Sequence, residues 1–399
     1  MERRRLLKLM AGTSVMAACS PVRNIRASRD PLKSKPLAPG SKTKVFLAGV
    51  GRNAPERAVS EAVRYSVEAA TDFSWLSKGD TVFIKPALNS GKPYPSTTSP
   101  IAIAAVVELL REKGAARVIV GDMSGVEHFK FSPAGTSGSS RELMESSGMA
   151  KVVQASGAEL CFFEEAGWSA FHEEIPLSGS HWKRALMMPD VLNEVQHIVL
   201  MPRCGRHILA GSTLGLKAAV GYWRHDTRLE YHHDASTLHE KTAEANTVET
   251  LRKKQRLVVT AADKILATYG PDKGYVCQPD HGLVIASESV VAHDMVSLAW
   301  LLANRCAMPD TEKNGFMDTS TLVAGFGNRY IAGLLGGWGQ ALTSETLSKV
   351  TLDTIWDDPV LNHAYEVFGG VPGIALESSN GMVPADLKKR LNEMTELPS

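Results

Sequence analysis

The 399-residue chain has no run of 18 or more apolar residues, so no segment reads as a membrane-crossing helix. It has five cysteines, Cys19, Cys161, Cys204, Cys277 and Cys306, and none forms a C-x-x-C pair. That spacing excludes a zinc ribbon or a ferredoxin cluster built from adjacent ligands. The glycine fingerprint G-x-G-x-x-G, the P-loop, G-x-S-x-G and H-E-x-x-H are all absent, which removes the common dinucleotide, nucleotide, serine-hydrolase and zincin readings. A strong net charge is also missing. The formal balance is +1, and residues 1–44 hold 11 Lys/Arg against 2 Asp/Glu, which leaves the remainder at 33 against 41, a net of −8. A mildly acidic body argues against a general nucleic-acid binder.

The basic N-terminus reads as an address. Arg3-Arg4-Arg5-Leu6-Leu7-Lys8 precedes a modest apolar stretch ending at Ala18 and Cys19. A basic start, a short apolar region and small residues describe an export signal. The paired arginines resemble the twin-arginine signal. Met16-Ala17-Ala18-Cys19 resembles a bacterial lipobox, with Cys19 as the lipidated residue and Met16 a departure from the usual pattern. Residues 20–42, rich in Pro, Ser, Arg and Lys, read as a flexible tether. The expected layout is therefore an export signal and tether over 1–42 and one α/β domain over 43–399. The expected location is the periplasm, free or as a membrane-anchored lipoprotein. Two of the remaining cysteines could pair in that compartment, or Cys161 and Cys306 could serve as small buried hydrophobes.

From Lys44 onward, short apolar runs alternate with helical periodicity. Val45–Val50, Thr81–Ile84, Arg117–Gly121, Glu159–Glu164, Ile198–Met201, Arg256–Thr260 and Leu283–Ala286 read as strands. Between them lie helices at Ala54–Ala70, with Val59, Val63 and Val67 on one face, at Pro100–Lys113, Ser140–Ser156, Asp190–Val195 and Val290–Asn304. Thr98 or Ser99 is placed to cap the helix at Pro100. Strand, helix, strand in this order predicts a mainly parallel sheet with helices on both faces. The Gly-rich Gly315–Gly339 and the helices Ser344–Ile355, Pro359–Phe368 and Ala385–Met394 are expected to form a helical cap.

The stretch Ile198–Asp226 carries the strongest chemical signal. Arg203, Arg206, His207, Lys217, Arg224 and His225 lie in or beside a segment of Gly, Ala, Leu and Val. Cation-capable groups next to apolar chain are costly unless they meet an anion, a metal or water. Charged residues also follow several strands: Lys85, Asp122, Arg203 with His207, and Asp263. Ligands of open α/β sheets bind beyond the carboxyl ends of the strands, where these residues would gather. If Thr213 caps a helix, its free N–H groups add to the cations and suit phosphate or carboxylate. Gly270-Pro271-Asp272-Lys273-Gly274 reads as a tight turn at the pocket rim. His225, His232, His233 and His239 suggest a metal cluster, with zinc or iron the imidazole-compatible ions. Adjacent His232 and His233 point apart in a strand, so only some could share an ion. Asp294 could join as a ligand or cap its own helix.

Together these pieces resemble the domain of unknown function 362 family. The matching segments are Gly79–Pro86 with Ser99-Pro100, Leu109–Gly114 leading to Val118–Asp122, Arg206-His207 with Thr213 and Lys217, Ala262-Asp263 with Tyr269–Gly274, and Ala286–Val291 with Asp294. They span about residues 44–305. The family usually carries asparagine after the lysine of its Lys-Asn-x-x-Gly segment, where Ala218 follows Lys217 here. Many members also hold a cysteine-rich ferredoxin segment that this chain lacks, so no iron–sulfur cluster is expected.

The expectation is an exported α/β protein acting on a small anionic molecule, with no nucleic-acid partner and with membrane contact only through a lipid anchor. Lys85, Asp122, His207, Lys217 and Asp263 are the candidate catalytic residues. Arg203, Arg206, Ser212 and Thr213 are the candidate anion ligands. A divalent metal is the one cofactor considered, on His225, His232, His239 or Asp294. The alternative is a tethered solute- or metal-binding protein that performs no chemistry.

Overall fold

The computed structural model describes residues 42–207, 209–233, 237–268, 270–312, 330, 333 and 352–398. By its contacts the chain divides into Met1–Lys33 and Ser34–Ser399, and every described residue belongs to the second unit. The expected export signal, the Gly-rich segment 315–339 apart from 330 and 333, and almost all of the expected helix 344–355 lie outside the described residues.

Sixteen strands among the described residues, numbered in chain order, carry the fold. Eight build the main sheet: β1 (Lys42–Gly51), β2 (Thr81–Pro86), β3 (Arg117–Asp122), β6 (Glu159–Phe162), β9 (His197–Met201), β12 (Gln255–Ala262), β15 (His281–Ser287) and β16 (Gly373–Ser378). Their order is β16-β1-β15-β12-β9-β2-β3-β6. All neighbours are parallel except β15, which runs antiparallel to both β1 and β12.

Side chains two apart along each strand share a face, and the core divides accordingly. Val82 and Ile84, Val118 and Val120, and Val199 and Met201 join one apolar cluster with helices Glu56–Ala70 and Pro100–Glu112. The intervening Phe83, Ile119 and Ile198 join a second, aromatic cluster around Tyr222, Trp223 and Tyr231. Both faces are therefore covered, as a mainly parallel sheet requires. Val59, Val63 and Val67 do form the buried stripe of their helix. Ser99 caps the next helix, accepting the Ala102 N–H at 3.3 Å. The single helix expected over Ser140–Ser156 is two short ones, Ser140–Ser146 and Met149–Ala155, broken at Gly148 with φ of +80°. Glycine there takes a left-handed turn that other residues resist.

The chain reverses its direction across the sheet beside β2. From β2 the sheet grows through β3 to β6, and then β9 returns to the other side of β2 and leads on to β12. The gap between β2 and β9 is thus a topological switch point, where a crevice opens at the carboxyl ends of the strands. Over this edge lies a small sheet that the sequence pattern did not reveal. It comprises β10 (Gly205–His207), β11 (Gly211–Thr213), β13 (Ile265–Leu266) and β14 (Val276–Cys277), in the order β11-β10-β13-β14. Two hairpins were also missed: β4 (Lys130–Ser132) with β5 (Gly135–Ser137), and β7 (Phe171–Glu174) with β8 (Leu186–Pro189). Strands of two to four residues are too short to show alternation.

Candidate functional site

A cavity of about 150 Å³ lies at the switch point. Lys85, near the end of β2, and Asp122, the last residue of β3, form its floor as a buried ion pair with N···O of 2.8 Å. Asp122 also accepts the backbone N–H groups of Leu88 and Met123, each at 2.8 Å. Lys85 donates a second bond to the Pro86 carbonyl at 2.8 Å. Burial lowers the Lys85 ammonium and raises the Asp122 carboxyl, while the charge of each opposes the other's shift. Gly221 lies directly against the pair, since a Cβ there would sit 2.2 Å from both Asp122 Oδ1 and Lys85 Nζ.

The walls are cationic. Arg203, which follows β9, is 1 % exposed, and its Nε has no hydrogen-bond partner among the described residues. Burial lowers its guanidinium to about 10, against the pull of Asp272, so it stays charged at neutral pH. Lys217 faces the same space from the short helix Gly215–Ala218. Among the described residues no acceptor is hydrogen-bonded to its ammonium, which stands over the Tyr231 ring, 5.8 Å from Nζ to the centroid. Desolvation first, then the charges of Arg203 and Arg228, bring Lys217 down from 10.5 to about 7. His207, at the end of β10, is held well below its ordinary value by burial and by Lys217 and Arg203. Its Nδ1 accepts the backbone N–H groups of Leu209 and Ala210 at 3.1 and 3.2 Å. The proton of the neutral ring therefore sits on Nε2, making His207 a donor. Burial likewise pulls His232 to about 3, with Nδ1 bonded to the Arg228 carbonyl.

Arg228 differs from the others, because its guanidinium serves the carbonyls of Trp223, Ser124, Met123 and Gly221 at 2.5–2.9 Å. It braces the wall. At the rim, Asp272 contacts Asn89 and stands 3.1 Å from His128 Nε2. The rim turn needs its glycines, for a Cβ on Gly270 (φ +40°) would fall 1.8 Å from the Arg206 carbonyl oxygen. A buried space with two cations, two neutral imidazoles and a paired carboxylate suits a small anion with a polar group beside it.

The family model described as Domain of unknown function (DUF362) matches residues 82–299. The chain belongs to that family. The match takes in every residue lining the cavity, from Lys85 to Asp272. Ala218, where the domain of unknown function 362 family usually carries asparagine, lines the cavity beside Lys217. No curated protein matches the chain. Among solved structures, the lactate racemase apoprotein from Thermoanaerobacterium thermosaccharolyticum is similar at 10 % identity with a TM-score of 0.38, over 87 % of this chain and 85 % of that one. A likeness that loose informs neither residues nor reaction.

In this family member the structure brings Lys85, Asp122, Arg203, His207, Thr213, Lys217 and His232 to one cavity. Asp263 does not line it. Its Oδ1 accepts the Tyr94 hydroxyl at 2.7 Å, and the adjoining Pro95 carbonyl is 3.5 Å from Arg203 Nη1, so Asp263 braces the loop beside Arg203. Asp122 is no free base, since both its oxygens are engaged. Thr213 caps no helix. It ends β11, and the N–H groups of Gly215 and Leu216 are bound by Asp294 at 2.8 and 2.7 Å. The helix start is thus already neutralised and offers no anion site. Asp294 caps that helix rather than its own, which is capped by Ser289.

Arg206 and Ser212 turn away from the cavity. Arg206 Nη1 donates to the Gly211 carbonyl at 2.5 Å, and the charge of Asp358 sustains it, while Ser212 Oγ is 3.4 Å from Asp358. Asp358, raised to about 6 by burial, was missed in the sequence because its partners lie almost 150 residues away. His225, His232, His239 and Asp294 share no metal-binding geometry among the described residues. The groups that do are His181–Glu244–His363 and Glu127–His128–Asp272. His233 and His232 lie on a helix, His225–His233, rather than a strand. Cys161, Cys204 and Cys277 are free thiols, with Cys161 only half-buried.

Proposed function

We propose that this member of the domain of unknown function 362 family is an enzyme that takes a small anionic carbonyl compound into the cavity and moves a proton at the carbon beside its carbonyl. The observation that carries this reading is Lys217, a lysine brought to about 7 within a cavity wall, beside a buried cation with an unpartnered N–H. Arg203 would bind the substrate's carboxylate or phosphate. His207, neutral with its proton on Nε2, would donate to the carbonyl oxygen as negative charge develops there. Lys217, neutral just above pH 7, would accept the carbon-bound proton and return it as the ammonium. The Lys85–Asp122 pair keeps the floor polar. A cavity of about 150 Å³ holds a molecule of roughly benzene size, so the substrate has about six heavy atoms.

We also place the protein outside the cytoplasm, on the support of Arg3-Arg4, the short apolar stretch and Cys19. A lipid on Cys19 would be its membrane contact.

The decisive experiment follows loss of the carbon-bound proton signal of small 2-oxo and 2-hydroxy acids in deuterated water by NMR, with calorimetry on the same compounds. Exchange that disappears in Lys217→Met supports the enzyme. Tight binding of an acid with no exchange of any substrate proton would leave the tethered binding protein as the better description. Failure of every anion to bind would remove the site.

A further inference from the structure

Away from the cavity, three sequence-distant side chains converge. His181 lies in the connection from β7 to β8, Glu244 ends the helix Leu238–Glu244, and His363 lies on the helix Pro359–Val367. His181 Nδ1 is 2.5 Å and His363 Nε2 is 3.0 Å from the same Glu244 oxygen, Oε1. The two imidazoles meet edge to face with centroids 5.3 Å apart, and one donor atom from each of the three residues lies within 4.8 Å of the others. None of the three lines the cavity described above.

The surroundings are built for this cluster. Glu244 has a fully buried side chain, and its carboxylate also accepts the backbone N–H groups of Ser180 and His181 at 3.1 Å each. Backbone can approach that closely only because residue 179 is glycine, with φ of +95°, where a Cβ would come within 2.1 Å of the carboxylate. His363 Nδ1 stands 3.0 Å from Glu366 Oε2. An N–H donated there leaves the Nε2 lone pair facing a carboxylate oxygen, an arrangement that needs a second proton or a cation between them. A carboxylate behind a histidine is also the usual outer support of a metal ligand.

We propose that His181 Nδ1, Glu244 Oε1 and His363 Nε2 bind one divalent transition metal ion of the zinc class. Two imidazoles and one carboxylate form a three-ligand set that leaves a fourth position open. A tetrahedral ion with bonds of about 2.0–2.1 Å separates its donors by roughly 3.3 Å, so each histidine nitrogen need move from Glu244 Oε1 by less than about 1 Å. Glu244 also lines a depression with Ser180, Trp182, Lys183 and Arg184. His181, with 36 % of its side chain exposed, gives solvent access. The ion would join the helix Pro359–Val367 to the helix Leu238–Glu244, against which it packs.

The test uses the full chain stripped with chelator and zinc alone as the probe, titrated calorimetrically, with cobalt(II) absorption reporting the ligand field. One zinc per chain is expected, with binding weakened at least ~100-fold in His181→Ala and in His363→Gln, and ~10–100-fold in Glu366→Gln. Asp272→Asn, in the other His/carboxylate group, should bind zinc as the parent does. No zinc binding by the parent chain, equal binding by both histidine variants, or loss on Asp272→Asn instead would overturn the proposal. His181→Ala alters the more exposed ligand, so it decides the matter if His363→Gln fails to fold.

Discussion

Replacing Lys217 by methionine tests the cavity most directly, because it keeps length and removes charge. The descent of Lys217 from 10.5 to about 7 corresponds to at most roughly 5 kcal/mol. The sign follows from proton counting. Between pH 7 and 10.5 the unfolded chain holds a proton on this lysine that the folded chain has released, so stability rises with pH across that window. Below pH 7 both states are protonated and the full penalty applies. Lys217→Met should therefore be more stable than the parent at pH 6, with the difference shrinking toward pH 10. Anion binding runs the other way. An inert anion that sits against the ammonium as well as Arg203 must recharge the lysine, so its affinity should fall about fivefold from pH 7 to 8 and about 50-fold from pH 7 to 9. At pH 7 the variant should bind at least several-fold more weakly, from the ~1–3 kcal/mol of one charge-assisted bond, and its pH dependence should vanish. His207 and His232 are neutral throughout this range and Arg203 is charged. His128, raised by Asp272 at the rim, is the other group to control, with His128→Gln. Calorimetry in two buffers of different ionisation enthalpy counts the protons directly. A parent affinity that is flat from pH 6 to 9 would refute the reasoning, as would an undiminished affinity in Lys217→Met.

Gly221→Ala should force the Lys85–Asp122 pair apart, costing about 3–5 kcal/mol in chemical denaturation. Gly51→Ala, with no atom within 4 Å of its new methyl, should stay within about 1 kcal/mol. Asp294→Ala strips the acceptor from two buried N–H groups and should cost roughly 2–5 kcal/mol by the same measurement, with Asp294→Asn losing less. Arg3→Lys with Arg4→Lys should leave precursor in the cytoplasm on fractionation, and mass spectrometry of the mature N-terminus should show residues 1–18 removed. Unchanged localisation would count against the twin-arginine signal.

Local pattern determined much of this protein. Val82, Phe83 and Ile84 alternate between two cores because successive side chains of a strand point to opposite faces, and that period is legible without coordinates. The habit of Lys85, Asp122 and Arg203 of following strands was enough to expect them at one edge, because parallel strands end together. What the tertiary structure decided is where the chain doubles back. The return of β9 beside β2 makes the crevice, and no residue in either strand announces it. Which carboxylate serves which donor was equally hidden. Asp294 binds N–H groups at Gly215 and Leu216, Asp263 holds Tyr94, and Glu244 meets His181 and His363, each across at least 60 residues. A helix start reads the same in sequence whether its N–H groups await a ligand or are already bound. Hydrogen bonds between distant segments have no period and no spacing, so folding alone assigns them.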